Sequence, residues 1–151
     1  MGDKLTKEQR QRCMSNVKNK NSAPEMVVRR GLHKLGLRYR LHAKNLPGTP
    51  DLVFAKYRTV LFVHGCFWHK HDCYKFSMPA TRTDFWKNKL AHNKLRDENN
   101  IATLREMGWH VIIVWECAIF GKKRQKQALL FHKIFNIITC NSECIYELRG
   151  E

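Results

Sequence analysis

The chain has 151 residues, enough for one domain that buries a core without disulfide staples, and its 28 Lys and Arg outnumber 13 Asp and Glu to leave a net charge of +15. So large an excess on a small body predicts attraction to a polyanion, nucleic acid first. Apolar runs such as "VIIVW" at 111–115 are strand-sized against the roughly 20 residues of a membrane span, and "MGDKLTKEQRQR" has no signal-peptide core, so a cytoplasmic protein with no membrane partner is expected.

Residues 1–21 read as a basic arm and 22–151 as a single domain, the first forty residues holding 11 basic and 3 acidic side chains. "SAPE" at 22–25 has the form of a helix cap, with Ser22 accepting from the amide near Glu25 and Pro24 in the first turn. Val28, Leu32 and Leu35 follow at helical spacing until Gly36. "LRYRL" at 37–41 alternates, "LPGTP" at 46–50 is turn chemistry, and "DLVFA" and "TVLFV" are short apolar strands joined by "KYR". These three segments predict a meander.

After a loop rich in His and Cys, Thr81 or Thr83 is placed to cap a long helix, with Phe85, Leu90, Leu95, Ile101, Leu104 and Met107 as apolar positions and Gly108 as the stop. "WHVIIVWEC" predicts a buried strand that carries Trp109 and Trp115 into the core, and a last helix spans about 124–138 with Leu129, Leu130, Ile134, Phe135 and Ile138 inward. The fold class is therefore α/β: helix, three-strand meander, helix, strand, helix, the last strand lying parallel to an earlier one. This order resembles a restriction-endonuclease-like core.

The loop "FVHGCFWHKHDC" at 62–73 concentrates the chemistry. Cys66, His71 and Cys73 follow C-x4-H-x-C, and Cys117 stands at the end of a strand of the same sheet, a donor set that suits tetrahedral zinc. A filled shell of this kind is structural and would pin a polar loop to the sheet. His64 and His69 remain outside it, although His69 is an alternative to His71 as ligand. Cys13, Cys140 and Cys144 lie apart and read as buried or free thiols.

Asp51 opens one strand and His64 closes its neighbour, so a hairpin brings both to one end of the sheet. A carboxylate, a backbone carbonyl from the adjacent strand and phosphate oxygens form a hard set for magnesium. His69, on the zinc-braced loop but free to titrate, suits a general base for a metal-activated water, and His64 suits a donor to phosphate or to the developing oxyanion. Phe67 and Trp68 lie between a zinc ligand and that base in an otherwise polar loop, which predicts exposed rings that wedge between base steps at a cost lowest where pairing is already poor. Trp86 and Met14 are further candidate wedges.

"LPGTPDLVF", "VLFVHGCFWHKHDC", "PATRTDFWKNKL", "NKLRDENN" and "LREMGWHVIIVWEC", in this order and spacing, resemble the very short patch repair DNA mismatch endonucleases, as does "RCMSNVKNKNSAPE". The resemblance covers about residues 8–120. It implies a magnesium-dependent nickase on the restriction-endonuclease-like fold, acting 5′ of the thymine in T:G mismatches left by deamination of 5-methylcytosine. It further implies Asp51 as magnesium ligand with the Val63 backbone carbonyl, His69 as catalytic base, His64 as its partner in the site and Glu25 as a group facing the metal's waters. Cys66, His71, Cys73 and Cys117 would bind zinc, and Met14, Phe67, Trp68 and Trp86 would contact or intercalate at the mismatch. Double-stranded DNA with the mismatch is the implied partner, other mismatch-repair proteins are candidates, and one asymmetric lesion suits a monomer. Two other readings compete: a non-catalytic zinc module that binds distorted DNA, and a mismatch glycosylase, which would leave an abasic site.

Overall fold

The computed structural model describes residues 21–140 and 145–150; Cys13, Met14, Cys144 and the arm through residue 20 lie outside them. Helix α1 (Ala23–Lys34) starts as its sequence requires: Ser22 Oγ accepts from the Glu25 amide at 3.4 Å, with Pro24 in the first turn. Such a cap stabilises a helix by about 1 kcal/mol. The helix ends before Gly36, whose φ of 94° is open to glycine at little cost.

Strands β1 (Arg40–Leu41), β2 (Leu52–Phe54) and β3 (Thr59–His64) form the antiparallel meander, with Leu52 opposite Leu61. Helix α2 (Thr83–Glu106) then crosses over to β4 (His110–Trp115), which runs parallel to β3 in a register that sets His64 beside Trp115. A short helix α3 (Glu116–Ile119) and a longer α4 (Gln127–Cys140) lead to β5 (Ile145–Leu148), parallel to β4. The result is a mixed five-stranded sheet in sequential order β1-β2-β3-β4-β5.

Strand alternation sorts the apolar side chains into two cores. Leu52, Phe54, Leu61, Ile112 and Val114 face one way and pack on Val28 and Leu32 of α1 and Leu130, Ile134 and Ile138 of α4. Val53, Val60, Phe62, Val111, Ile113 and Trp115 face the other way, toward Leu104 of α2, Cys66 of the loop and Cys117 of α3. The same period of two puts Asp51 and His64 on this second face. Among the described residues no helix is long and apolar enough to cross a membrane.

Several expectations need correction. Phe85, Leu95, Met107 and Leu129 are exposed rather than inward. A 24-residue helix is ~36 Å long and overhangs strands of six residues, ~20 Å, so Leu90 and Leu104 alone become fully buried on α2. Neither Thr81 nor Thr83 is the cap: Arg82 holds that position at φ 54°, and the Thr83 hydroxyl donates to the Pro79 carbonyl at 2.9 Å. The last helix begins three residues later than predicted and is followed by a strand the alternation had not revealed. Cys140 is exposed.

Candidate active site

The loop after β3 folds back on itself through backbone bonds: the His71 amide donates to the Cys66 carbonyl at 2.9 Å and the His69 amide to Gly65 at 3.2 Å. Glu116, at the start of α3, accepts from the Cys66 amide at 3.4 Å. These closures gather Cys66, His71, Cys73 and Cys117, whose ligand atoms lie within 4.8 Å of one another. His71 turns Nδ1 to within 3.6 Å of Cys117 Sγ and stacks flat on Trp115, ring centres 3.9 Å apart. Burial pushes the Cys66 thiol up, opposed by a hydrogen bond from the Cys117 backbone and reinforced by the Cys73 side chain, and burial holds His71 below the usual histidine value. Three sulfurs and a neutral imidazole converging without a counter-charge fit a soft dication, which would turn the thiols to thiolates.

A second group forms at the start of β2. Glu25, His42 and Asp51 bring their ligand atoms within 4.8 Å. Glu25 is buried, and its carboxylate accepts from the Asn21 amide at 3.1 Å, from Arg29 at 3.3 Å and pairs with His42 Nε2 at 2.9 Å. Asp51 Oδ2 accepts from the Val63 amide at 2.7 Å. A strand residue sends its N–H and C=O to the same edge, so the Val63 carbonyl also faces this side. Burial raises Asp51 to about 7, opposed by the Val63 hydrogen bond and reinforced by the Glu25 charge. Two carboxylates and a carbonyl are hard oxygen donors of the kind magnesium takes.

Between these groups stand two stacked imidazoles. The rings of His64 and His69 are 3.7 Å apart and 3° from parallel. His69 Nδ1 bonds Asp97 Oδ2 of α2 at 2.5 Å, which leaves Nε2 for other chemistry. Burial first, then the neighbouring His69 and His71, holds His64 well below the ordinary histidine range, and its Nδ1 is buried without a hydrogen-bond partner among the described residues.

The aromatic residues are not free in solvent as expected; Phe67, Trp68 and Trp86 are half-buried in one cluster. Phe67 meets Trp68 edge to face at 5.1 Å and Trp86 at 5.4 Å, and Trp68 meets Trp86 at 5.9 Å. Asn93 of α2 ties the loop down by donating to the Trp68 carbonyl at 3.1 Å. The loop can therefore bury one side of each ring without turning its cysteines out, because α2 supplies the packing partner. Trp109 is half-buried beneath the Arg58 guanidinium, 4.5 Å above its ring.

Both titratable groups open on a single cleft of about 1170 Å³, lined by Glu25, His42, Asp51, His64, His69 and Asp97, with Phe67 and Trp68 in its wall and Lys44, Lys89 and Arg96 around it. Sequence reasoning brought Asp51, His64 and His69 here, the family resemblance alone added Glu25, and both missed Asp97, His42 and the stacking role of Trp115. Asp97 carried a readable signal: with Leu90, Asn93 and Leu104 it falls on one helical face, a carboxylate where apolar packing is expected. His42 had none, since a φ of 47° turns it toward Glu25.

The profile of the family described as "DNA mismatch endonuclease Vsr" matches residues 2–75. The type II nicking enzyme V.XorIIP of Xanthomonas oryzae pv. oryzae is 49% identical over 119 residues, 79% of this chain and 88% of that protein. The DNA mismatch endonuclease Vsr of Escherichia coli K12 is 42% identical over 134 residues, 89% of this chain and 86% of its own length. This chain belongs to the Vsr family. As a Vsr-family protein it is a DNA mismatch endonuclease, and the family match spans Glu25, His42, Asp51, His64, His69 and three of the four Cys/His-cluster residues. Asp97 of α2, which lines the cleft, and Cys117 of α3 lie beyond that match.

Proposed function

We propose that this Vsr-family chain nicks one strand 5′ of the thymine in T:G mismatches, using magnesium at Asp51 and a structural zinc at Cys66, His71, Cys73 and Cys117. The supporting observation is that a buried carboxylate and a carboxylate-oriented imidazole open on the same cleft, whose wall is the aromatic loop. Its α/β fold is assigned to the restriction-endonuclease-like class. One copy of the chain serves one asymmetric lesion in the cytoplasm, and the excess of positive charge draws the duplex in.

Asp51 and the Val63 carbonyl would hold the magnesium ion, which when bound would supply positive charge to stabilise the scissile phosphate in its transition state. His69, held through Nδ1 by Asp97, takes the proton of the attacking water on Nε2. The water oxygen attacks phosphorus, the bond to the 3′-oxygen breaks, and the thymidine keeps its base and retains the phosphate on its 5′-oxygen. His64, neutral and stacked behind His69, donates to the phosphate or the leaving oxygen. Glu25 orders waters on the metal side of the cleft. Phe67 and Trp68, with Trp86 behind them and Met14 from the arm, enter the opened base step.

Purified protein with magnesium is expected to nick a T:G duplex and to be silent in EDTA. Full activity in EDTA, or an abasic product, would defeat this reading in favour of a glycosylase; tight binding without any cut would favour the non-catalytic zinc module.

The raised Asp51 carboxyl sets a pH dependence. In the metal-free fold Asp51 holds a proton between about pH 4 and 7 that the unfolded chain has released, so its contribution to stability is full below about pH 4 and lost as pH rises through 7. Magnesium must displace that proton, so its affinity is expected to be roughly tenfold weaker at pH 6 than at pH 8. Calorimetric titration at the two pH values checks this, and Asp51→Asn should bind little magnesium at either. A pH-independent affinity in the unaltered protein would contradict the assignment.

Trp68→Ala should weaken binding of the T:G duplex more than of the paired duplex, by about 1–3 kcal/mol if it loses one base stack. Fluorescence anisotropy on both duplexes tests it; equal losses would remove the wedge role.

A further inference from the structure

The last described residues touch the Cys/His loop at several points. Because β5 runs parallel beside β4, its end arrives where β4 ends, next to Cys117. The Gly150 amide donates to Cys117 Sγ at 3.3 Å. Arg149 donates from Nη1 to Asp72 Oδ1 and from Nη2 to the Asp72 carbonyl, both at 2.9 Å. Asp72 is the residue between His71 and Cys73. The segment has its own anchor: Gln125 Nε2 donates to the Arg149 carbonyl at 2.7 Å, and Lys133 holds Gln125 Oε1 at 2.9 Å. No side chain fits at residue 150, where a Cβ would stand 2.6 Å from the Cys117 carbonyl and 2.8 Å from that of Lys123.

We propose that Arg149 and Gly150 form a clamp that keeps the Cys/His loop in its zinc-ligating form and thereby positions His69; this rests on the zinc site proposed above. The Gly150 amide at 3.3 Å holds Cys117 Sγ in place. His71 offers Nδ1 to the cluster, so its Nε2 lies on the other side, 3.7 Å from Asp72 Oδ1. At that distance the carboxylate faces the ring electrostatically and favours its orientation toward the cluster, in the manner of partners of metal-bound histidines, and Arg149 fixes the carboxylate in turn. Asp72 and Arg149 are 86% and 46% exposed, so their pair adds little to global stability. Its effect is local. His69 sits between Cys66 and His71 on the same short loop, so slack in the ligands becomes slack in the base.

The test follows zinc leaving the full-length protein for the chromogenic chelator 4-(2-pyridylazo)resorcinol. Arg149→Ala and Gly150→Ala are expected to release zinc about tenfold faster than the unaltered chain, the lower end of the range for lost partners of a metal ligand. Arg149→Lys should fall between, because an ammonium cannot span both Asp72 oxygens as the planar fork does. It also keeps the test decisive if an alanine variant fails to fold. The midpoint of denaturant unfolding should stay in place, which separates a positioning role from a general loss of structure. An unaltered chain that holds one zinc, with variants releasing it at the same rate, overturns the clamp alone. An unaltered chain that holds no zinc overturns the zinc site and the clamp with it.

Discussion

His69→Ala is expected to lower nicking of a T:G duplex by about 10²- to 10⁴-fold, the usual contribution of a positioned general base, while binding of the duplex persists. The imidazole is fixed on three sides. Asp97 holds Nδ1, His64 stacks on one ring face, and the loop that carries it is closed by the His69 amide bond to Gly65. Little rotamer freedom remains to be lost when substrate arrives, so the loss on truncation should fall on the chemical step. Asp97→Asn should lower the rate by less. An amide fills the same space but is free to donate to Nδ1, which moves the proton to Nε2 and blocks the base. Single-turnover nicking alongside anisotropy separates chemistry from binding. A His69→Ala protein that cuts at the unaltered rate would remove His69 from the mechanism.

The other large effect concerns zinc. Cys117→Ser, or removal of zinc by a chelator, is expected to abolish nicking while the sheet survives. The two cores of the sheet are built from apolar side chains that need no metal. The loop differs: between Gly65 and Cys73 only Cys66 and His71 are buried, and both belong to the set proposed to hold zinc. Without the ion, three sulfurs and an imidazole would lack the charge that draws them together, and the ring of His71 would lose its reason to lie flat on Trp115. Far-ultraviolet circular dichroism should change little. Near-ultraviolet signals from Trp68 and Trp115 should collapse and return with added zinc. Full nicking by protein shown to be metal-free by mass spectrometry would refute the structural role.

Much of this architecture could be read from the chain because its signals are local. The Ser22 cap, Gly36 and Gly108 as stops, and the short apolar runs of β2 and β3 are decided by neighbours a few residues away. The site was legible where its residues are dense, as in the loop from Cys66 to Cys73, or lie on paired strand ends, as Asp51 and Val63 do. Contacts across elements were not. Asp97 reaches His69 over 28 positions and Arg149 reaches Asp72 over 77, and no periodicity reports such pairings. β5 was missed because "IYEL" is too short to show alternation, and it becomes a strand only beside a finished β4. Exposure of Leu95 and Leu129 shows the opposite failure: helical spacing identifies a face but not how much of a long helix has something beneath it.

The aromatic cluster bears on how a lesion would be told from sound duplex. Since Phe67, Trp68 and Trp86 already brace one another edge to face, they behave as a fixed gauge rather than as fingers that adapt. Every duplex meets the same shape, and the energy that separates one from another is then the DNA's own reluctance to unstack. Discrimination should accordingly track the melting cost of the probed step, softening as temperature rises even though the protein itself does not change.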